Sequence, residues 1–302
     1  MKAGYVALIG RPNVGKSTLL NTMLGQKVAI ISEKPQTTRI SILGIKTTEQ
    51  GQIIFIDNPG IHKPLHTLNK RMMNFVYSAL QTSNLICLLI DVTQPFGHGD
   101  EFVIETLKKV ATPLFLLINK VDIIKKEKIL LTIDRYKDLL DFKEIIPISA
   151  LRGTNLDVLE KKIYEYLPEA EKLYGDDFVS DQSLRFMLAE IIREKLLKHV
   201  EQELPFVTAV LIETMEERQK EKGESKVEAK VTYISASIFV ERDNHRKIVI
   251  GRHGQVIKEI GIEARREIEE ILKSKVFLDL KVKVKEKWRD SAEVLDLIEG
   301  QK

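Results

Sequence analysis

An eight-residue stretch near the start of the chain has the residue types that bind a phosphate group. Residues 10–17 read Gly-Arg-Pro-Asn-Val-Gly-Lys-Ser, which fits G-x-x-x-x-G-K-[S/T]. The stretch joins an apolar run to a helical pattern, so backbone N–H groups at a helix N-terminus point toward an anion. Lys16 is placed to reach the β- and γ-phosphates of a nucleotide, and the Ser17 hydroxyl to bind Mg²⁺. The predicted phosphate-loop contacts are Gly10, Asn13, Val14, Gly15, Lys16, Ser17 and Thr18.

The segment Asn119-Lys120-Val121-Asp122 indicates which base the nucleotide has. It follows a buried apolar run, so Asp122 lies at the carboxyl end of a strand. A carboxylate there accepts two N–H bonds from the guanine edge, a pattern that adenine does not offer. A helix-capping aspartate is the alternative, but the phosphate loop upstream favours guanine recognition. The Asn-Lys-x-Asp segment in turn argues against an ATPase or a small-molecule kinase. Ser149 and Ala150 follow another strand, where a backbone N–H can meet the guanine oxygen.

Two further segments complete the predicted phosphate and metal contacts. Asp57 follows the apolar run "IIFI" and suits a Mg²⁺ ligand that acts through water, while the Gly60 N–H suits the γ-phosphate. The polar loop 34–40 offers two threonines, of which we select Thr38 to complete the Mg²⁺ shell; an ordinary connection is the alternative. The predicted metal ligands are thus Ser17, Thr38 and Asp57, and the predicted catalytic residues are Lys16, Thr38 and Gly60.

These polar residues need a scaffold, and the apolar pattern supplies one. Short, mostly continuous apolar runs predict strands buried on both faces of a sheet, at 5–9, 42–45, 53–56, 85–90, 114–118 and 145–148. Helical patterns alternate with them at 16–24, 68–81, 100–109, 128–140 and 155–167. This alternation predicts an α/β P-loop GTPase domain, with a mostly parallel sheet and helices on both faces.

A change of pattern near residue 168 predicts a second domain. We expect a nucleotide-binding domain at 1–168, a linker rich in acidic residues at 169–182, and an α+β domain at 183–302. The second part begins with a helical pattern from Leu184, followed by strands at 207–213 and 231–241 joined by a polar hairpin around Gly223. The stretch 247–272, in which a Gly-x-x-Gly joins two helical segments, and a last alternating strand at 276–284 follow. The resulting order, α-β-β-α-α-β, is that of a type II KH domain.

Composition excludes several classes of protein. The hydrophobic content of 43% and the charged content of 30% are those of an ordinary globular protein. A single cysteine, Cys87, allows no disulfide within the chain, which fits a reducing compartment. No apolar stretch reaches the ~18 residues of a membrane span, and "MKAGYVALIG" predicts a strand rather than a signal peptide. These features predict a cytoplasmic location.

The second domain contains a Gly-x-x-Gly, Gly251 to Gly254, between an apolar run and an amphipathic helix. Such a turn is common and can simply begin a helix. Residues 181–302 contain 24 Lys and Arg against 24 Asp and Glu, yet the loop itself is surrounded by basic residues without an intervening acid. Glycines let a single-stranded RNA backbone approach closely, and such a loop grips about four nucleotides. The predicted RNA contacts are Gly251, Arg252, His253, Gly254, Lys247, Lys258, Ile250 and Ile257.

A basic row near the C-terminus allows two interpretations. Lys281, Lys283 and Lys285 lie on one face of the last predicted strand. RNA contact and a solvated strand edge explain this row equally well. Aromatic residues make up only 6% of the chain, so a stacking platform is not expected.

The order of these motifs, together with "GRPNVGKSTLLN", "PQTTR" and "GIEAR", resembles the Era family of translation-factor-related bacterial GTPases. The resemblance covers about residues 5–289. Two positions depart from the pattern of such GTPases: Asn58 replaces the usual Thr, and Ile61 lies where Ras-like GTPases have a water-orienting Gln. Because Ile cannot orient water, intrinsic GTP hydrolysis is expected to be slow or to use another group.

The resemblance implies a switch that binds GTP or GDP with Mg²⁺ and hydrolyses GTP. It implies binding of the single-stranded 3′ end of small-subunit (16S) ribosomal RNA by the KH domain, and a role with the 30S subunit in its assembly. By resemblance to cation-activated relatives, Asn13 is a candidate K⁺ ligand; stabilising the loop is the alternative. A monomer with peripheral contact to the inner face of the cell membrane is also implied. A C-terminal domain that binds protein or membrane rather than RNA remains the alternative function.

Overall fold

Two separate sheets organise the chain, one in each of two compact units. The computed structural model describes residues 1–219 and 230–302. The first unit runs from Met1 to Asp181 and the second from Gln182 to Lys302. Each unit has its own hydrophobic core.

The sheet of the first unit has the strand order β2-β3-β1-β4-β5-β6. Neighbouring strands are parallel except β2 and β3, which are antiparallel. Strand β1 shows why the sequence runs are continuously apolar: Leu8 and Ile9 point to opposite faces, and both are fully buried. The strands are β1 (Lys2–Gly10), β2 (Ile42–Thr47), β3 (Gly51–Asp57), β4 (Leu85–Asp91), β5 (Leu114–Asn119) and β6 (Phe142–Pro147).

The helices of the first unit pack on this sheet. Val76 and Val103, from two of these helices, share a buried cluster with the inward residues of β1 and β4. They are α1 (Lys16–Leu24), α2 (Thr67–Thr82), α3 (His98–Leu107), α4 (Lys126–Tyr136) and α5 (Leu156–Tyr166). The predicted fold class, a mostly parallel α/β sheet of the GTPase type, is confirmed. The bounds of α1 agree with the prediction at both ends, because the phosphate loop precedes it and Gly25 ends it in the left-handed region (φ 68°).

The parallel strands bring their carboxyl ends to one edge of the sheet. Gly10 ends β1, Asp57 ends β3, and Asp91 and Asn119 end β4 and β5. The register pairs Leu8 with Asp57 and Asp91 with Asn119. The predicted site residues at these strand ends therefore lie near one another along one edge of the sheet.

The segment that follows α5 is held to the first unit by backbone hydrogen bonds. The N–H of Ala170 donates to the Met1 carbonyl at 2.9 Å, and the N–H of Ile45 donates to the Val179 carbonyl at 2.8 Å. The compact unit thus extends to Asp181. The domain bounds 1–168, 169–182 and 183–302, and the linker between them, stay a prediction.

The helices and strands of the second unit follow one another in the order that the predicted KH topology requires. Its sheet has the order β7-β8-β9, with β7 and β8 antiparallel and β8 and β9 parallel. The hairpin predicted around Gly223 lies outside the described residues. The elements are α6 (Leu184–His199), α7 (Leu204–Val207), β7 (Ala209–Gln219), β8 (Lys230–Val240), α8 (Asp243–Ile250), α9 (Gln255–Leu272), β9 (Lys275–Val284) and α10 (Ala292–Glu299).

One face of the second sheet forms the core of this unit. Ile234 and Ile238 of β8 are buried in the same cluster as Leu188 of α6 and Ile260 of α9. The alternating pattern of β9 follows from this one-sided burial, since its lysines point away from the core. The helices α7 and α10 were not predicted. Among the described residues, no helix is both long and apolar enough to span a membrane.

Replacement of Ile260 by Ala tests the core of the second unit. Ile260 is fully buried, so the lost contacts and the cavity should lower the free energy of unfolding by about 2–5 kcal/mol. Ile262→Ala, on the same helix but 52% exposed, is the matched control and should change it by less than ~0.5 kcal/mol. Urea unfolding followed by the fluorescence of Trp288, the single Trp and fully buried in this unit, measures both. Equal losses in the two variants would contradict the packing described.

Candidate functional site

The phosphate loop has the backbone that its glycines predict. Gly10 and Gly15 have φ values of 151° and 101°, and Asn13 also lies in the left-handed region at 64°. Helix α1 begins directly after the loop, at Lys16. The loop therefore ends at the N-terminus of a helix, where unpaired N–H groups attract a phosphate.

Close packing requires glycine at three positions around this loop. A Cβ on Gly10 would lie 2.4 Å from the Leu89 carbonyl oxygen, and a Cβ on Gly60 would lie 2.5 Å from the Pro12 nitrogen. At Gly15 it would lie 2.2 Å from the side-chain nitrogen of Asn119. Because contacts below 3.0 Å force something to move, any other residue at these positions would displace the loop.

Lys16 is held inside the loop. It is 5% exposed, and its Nζ donates to the carbonyl oxygens of Gly10 at 3.3 Å and Arg11 at 2.9 Å. Burial lowers the pKa of Lys16 to about 8, although the nearby Asp57 carboxylate acts in the opposite direction. A buried ammonium with only carbonyl partners gains from an added anion, so this position suits a nucleotide phosphate.

The three predicted metal ligands lie together. The Ser17 hydroxyl donates to Asp57 Oδ2 at 2.6 Å, the Thr38 hydroxyl approaches the same oxygen at 3.2 Å, and the two hydroxyls are 3.0 Å apart. Asp57 is fully buried, and its Oδ1 has no hydrogen-bond partner among the described residues. Burial raises the pKa of Asp57, while Lys16 and the two hydroxyls lower it. An oxygen-only cluster with an unpaired carboxylate oxygen fits Mg²⁺, which favours such ligands.

Asn13, Val14 and Thr18 have different surroundings within the loop. Asn13 is exposed, and its amide nitrogen donates to the carbonyl of Glu33, in the loop that leads to Thr38. This bond supports the loop-stabilising interpretation, while the K⁺ role stays a prediction. Val14 is buried, and Thr18 is half-buried in the first turn of α1.

Asn119 connects the phosphate loop to the loop that follows β6. Its Nδ2 donates to the Val14 carbonyl at 2.7 Å, and its Oδ1 accepts from the Ala150 N–H at 2.9 Å. The side chain is 2% exposed, so both bonds are sheltered from water. Asn119 therefore fixes the distance between the loops rather than presenting a free polar group.

The other guanine-site residues lie beside it. Lys120 has a left-handed backbone (φ 67°), and Asp122 is exposed in a 3₁₀ turn, Val121–Ile123. Ser149 and Ala150 are buried. Their N–H groups donate to the Thr154 carbonyl and to Asn119, so the predicted contact of this pair with the guanine oxygen stays a prediction.

The sequence did not predict the partner of Lys120. Its Nζ lies 2.7 Å from Asp91 Oδ2, at the carboxyl end of β4. Burial opposes ionisation of Asp91, but hydrogen bonds from Lys120 and Thr93 outweigh it and hold the pKa of Asp91 below its usual value. The position of Asp91 at a strand end, next to Asn119 in the register, is the signal that could have identified it.

The residues after Asp57 explain the two departures from the usual GTPase pattern. Asn58 is fully buried and accepts a hydrogen bond from the Ser41 hydroxyl at 2.7 Å, so its side chain braces the neighbouring segment. Ile61 is 1% exposed, packs in the core of the first unit, and donates its N–H to the Gly10 carbonyl at 3.0 Å. The Ile61 side chain is thus unable to contact a water at the phosphates.

The Gly-x-x-Gly of the second unit joins two helices, α8 and α9. Gly251 has φ 76° and ψ 174°, and a Cβ there would lie 2.5 Å from the Val256 side chain. Gly254 has φ 75° but open space at its Cβ position. His253 has a left-handed backbone (φ 52°), and Arg252 and His253 are exposed. The loop thus presents backbone and polar side chains to solvent.

The cations around this loop differ in their ion pairing from those on β9 and directly after it. Lys247, Arg252 and Lys258 are exposed and have no ion-pair partner among the described residues. By contrast, Lys281 pairs with Asp279, Lys283 with Glu213 and Lys285 with Glu293. Ile250 and Ile257 beside the loop are half-buried. An incoming phosphate therefore meets uncompensated charge at the Gly-x-x-Gly rather than on the strand.

Comparison with known proteins decides the family. A model described as a 50S ribosome-binding GTPase matches residues 5–120, and a KH-domain model matches residues 210–289. The chain is 41% identical to Era in a crystal structure with MgGDPNP and nucleotides 1506–1542 of 16S ribosomal RNA. The match covers 99% of this chain and 98% of that one, with a TM-score of 0.90. The chain belongs to the Era family.

A second Era structure gives the same result. A single-residue variant of Aquifex aeolicus Era bound to GDP·AlF₄⁻ is also 41% identical, with a TM-score of 0.89 and 99% of each chain covered. The resemblance inferred from the sequence motifs is confirmed, as is the GTPase domain followed by a KH domain. For this Era-family chain, the roles of individual site residues stay predictions.

Replacement of Asn119 by Ala tests the connection between the loops of the Era-family site. The variant leaves the Val14 carbonyl and the Ala150 N–H without their partner, at a cost of about 1–3 kcal/mol. Calorimetry should show that the affinity for GDP falls about tenfold, because part of the binding free energy must then be used to order the two loops. Asn74→Ala, on the exposed face of α2, is the control and should leave GDP binding unchanged. Parent-like affinity in Asn119→Ala would show that the loops keep their positions without it.

Proposed function

We propose that this protein is a GTP-hydrolysing switch that binds the single-stranded 3′ end of 16S ribosomal RNA and acts in assembly of the small ribosomal subunit. The strongest support is that Ser17, Thr38 and Asp57 are hydrogen-bonded to one another beside a phosphate loop. Asp122 follows a strand that ends at the same edge of the sheet. The Era relative bound to MgGDPNP and 16S ribosomal RNA supports both halves of the proposal.

The residues of the first unit divide the work on the nucleotide. The loop from Gly10 to Ser17 binds the phosphates through its N–H groups, and Lys16 contacts the β- and γ-phosphates. The Gly60 N–H contacts the γ-phosphate, and Ser17, Thr38 and, through water, Asp57 would hold Mg²⁺. When bound, Mg²⁺ neutralises part of the charge on the phosphates. Lys16, Thr38 and Gly60 form the catalytic set in this proposal.

The RNA half of the proposal is supported by the surroundings of the Gly-x-x-Gly. Three unpaired cations, Lys247, Arg252 and Lys258, lie beside a loop whose glycines permit close approach of a backbone. Phosphate contacts of this kind make RNA affinity fall as salt rises. A nucleic acid is the class of partner that such a loop fits best.

Coupling between nucleotide and RNA would begin in the loops 34–40 and 60–69. Asn69, at the start of α2, donates from Nδ2 to Gln36 Oε1 at 3.4 Å, which joins the two loops directly. A γ-phosphate that contacts Thr38 and Gly60 would order both loops together. We propose that this order changes RNA affinity, and that the protein is a cytoplasmic monomer with peripheral contact to the membrane.

Replacement of Asp122 by Asn tests guanine recognition. The amide presents a donor where the guanine edge needs an acceptor, so GTP affinity should fall by about 10- to 100-fold, which corresponds to ~1–3 kcal/mol. Xanthosine triphosphate, whose edge accepts at that position, should bind the variant better than GTP. The parent's preferences for GTP, ATP and xanthosine triphosphate are measured beside it. Retained GTP preference in the variant would remove guanine recognition from the proposal.

Replacement of Gly254 by Asp tests RNA binding. Space is open at this Cβ position, and Asp tolerates the left-handed backbone, so the second unit should still fold. The added carboxylate repels phosphate, and affinity for a single-stranded oligonucleotide of the 16S 3′ end should fall at least tenfold. Gly254→Asn, of the same shape but neutral, is the matched control and should lose much less.

The same binding assay separates the alternative function. Parent-like RNA affinity in Gly254→Asp would favour a C-terminal domain that binds protein or membrane, an interpretation to which the even charge of residues 181–302 lends support. Measurement with a GTP analogue and with GDP tests the coupling. Equal RNA affinities in the two states would remove the switch from the proposal.

A further inference from the structure

GTP hydrolysis needs a group that orients the attacking water, and the position after Gly60 does not supply it. Ile61 has an apolar side chain buried in the core, and its N–H is bonded to the Gly10 carbonyl. A Gln at this position in Ras-like enzymes acts through a hydrogen bond to water. In this chain, any side chain with that role must come from another position.

The next residue, His62, has an unused polar atom. Its Nδ1 lies 2.8 Å from the Gly60 carbonyl oxygen. Because a carbonyl oxygen only accepts, Nδ1 bears the hydrogen, and Nε2 of the neutral ring then has a free lone pair. That Nε2 is buried and has no hydrogen-bond partner among the described residues. A buried acceptor without a donor is costly, unless a water or a ligand completes it.

The loop that contains His62 belongs to the phosphate site. The ring is bonded to Gly60, whose N–H is the proposed γ-phosphate contact, and Ile61 is bonded to Gly10 of the phosphate loop. Asn69 then ties the end of the same loop to Gln36, two residues before Thr38. These bonds tie both ends of the segment that contains His62 to the loops that would contact the γ-phosphate.

We propose that His62 is a catalytic residue whose Nε2 accepts a hydrogen bond from the water that attacks the γ-phosphate. The proposal rests on the proposed GTPase function. The water oxygen forms the new bond to phosphorus, the bond between phosphorus and the β–γ bridging oxygen breaks, and its electron pair leaves on GDP. One water proton is held toward Nε2 during attack and ends on the released phosphate.

Three substitutions separate this role from a structural one. Asn places an amide nitrogen near the Nδ1 position and keeps the bond to Gly60, but has no atom at Nε2. Gln places its amide near the Nε2 position and has an acceptor oxygen. Ala removes both. Hydrolysis in a single turnover at saturating GTP should fall about 100-fold in His62→Ala and His62→Asn, and His62→Gln should recover at least tenfold of that loss.

Nucleotide affinity provides the second readout. Fluorescent GDP and a GTP analogue should bind all three variants within about threefold of the parent, because the proposed contact is to water and not to nucleotide. His98→Asn, a fully exposed histidine at the start of α3, is the matched control and should hydrolyse at the parent's rate.

Two results would overturn the proposal: a parent-like rate in His62→Ala, or full recovery of the rate in His62→Asn, which would assign the ring to positioning Gly60. If either result is found and the parent protein still binds and hydrolyses GTP, the proposed function remains intact. A parent that does not hydrolyse GTP at all would instead contradict the proposed function itself.

Discussion

One buried carboxylate, that of Asp57, joins three segments of the first unit. It ends β3, accepts from Ser17 of the phosphate loop, and is approached by Thr38 of the preceding loop. Burial of an ionised carboxylate is costly, and two hydroxyls and the nearby Lys16 offset only part of that cost. Cation and phosphate binding would supply the missing charge, so the interaction that organises the site is also the one that favours its ligands. The loops around Asp57 can then respond to the nucleotide without any change in the sheet.

Close packing of the backbone constrains the same site in addition to the electrostatic interactions of Asp57. Gly10, Gly15 and Gly60 are each close enough to other backbone or side-chain atoms that a Cβ would collide. The phosphate loop is therefore packed against the backbone of β4 and of the loop after β3, and the Asn119 side chain at the end of β5 braces it. A site built this way has little freedom before the ligand arrives, and less conformational entropy is lost on binding.

Elements with local sequence signals were predicted well, and the motifs also identified the cluster of Ser17, Thr38 and Asp57, whereas contacts that depend on strand pairing or core packing were not predicted. The helix α1 has the predicted bounds because local signals, a phosphate loop and Gly25, determine both ends. The partnership of Lys120 with Asp91 depends on the parallel pairing of β4 and β5, which no local pattern reveals. The inward orientation of Ile61 likewise depends on packing against a core assembled from distant strands. Sequence motifs therefore indicated which residues form the site, while the fold determined which of them have free polar atoms.

The second unit shows why net charge is a poor guide to anion binding. Its acidic and basic residues balance, and Lys281 and Lys283 of β9 and the following Lys285 are each paired with a carboxylate. Around the Gly-x-x-Gly, residues 244–258 contain no acidic side chain, and Lys247, Arg252 and Lys258 have no ion-pair partner among the described residues. The potential that a phosphate meets depends on the local pairing of charges within a Debye length of about 10 Å, and not on their sum over the unit. A domain without net charge can thus have a loop that attracts phosphate.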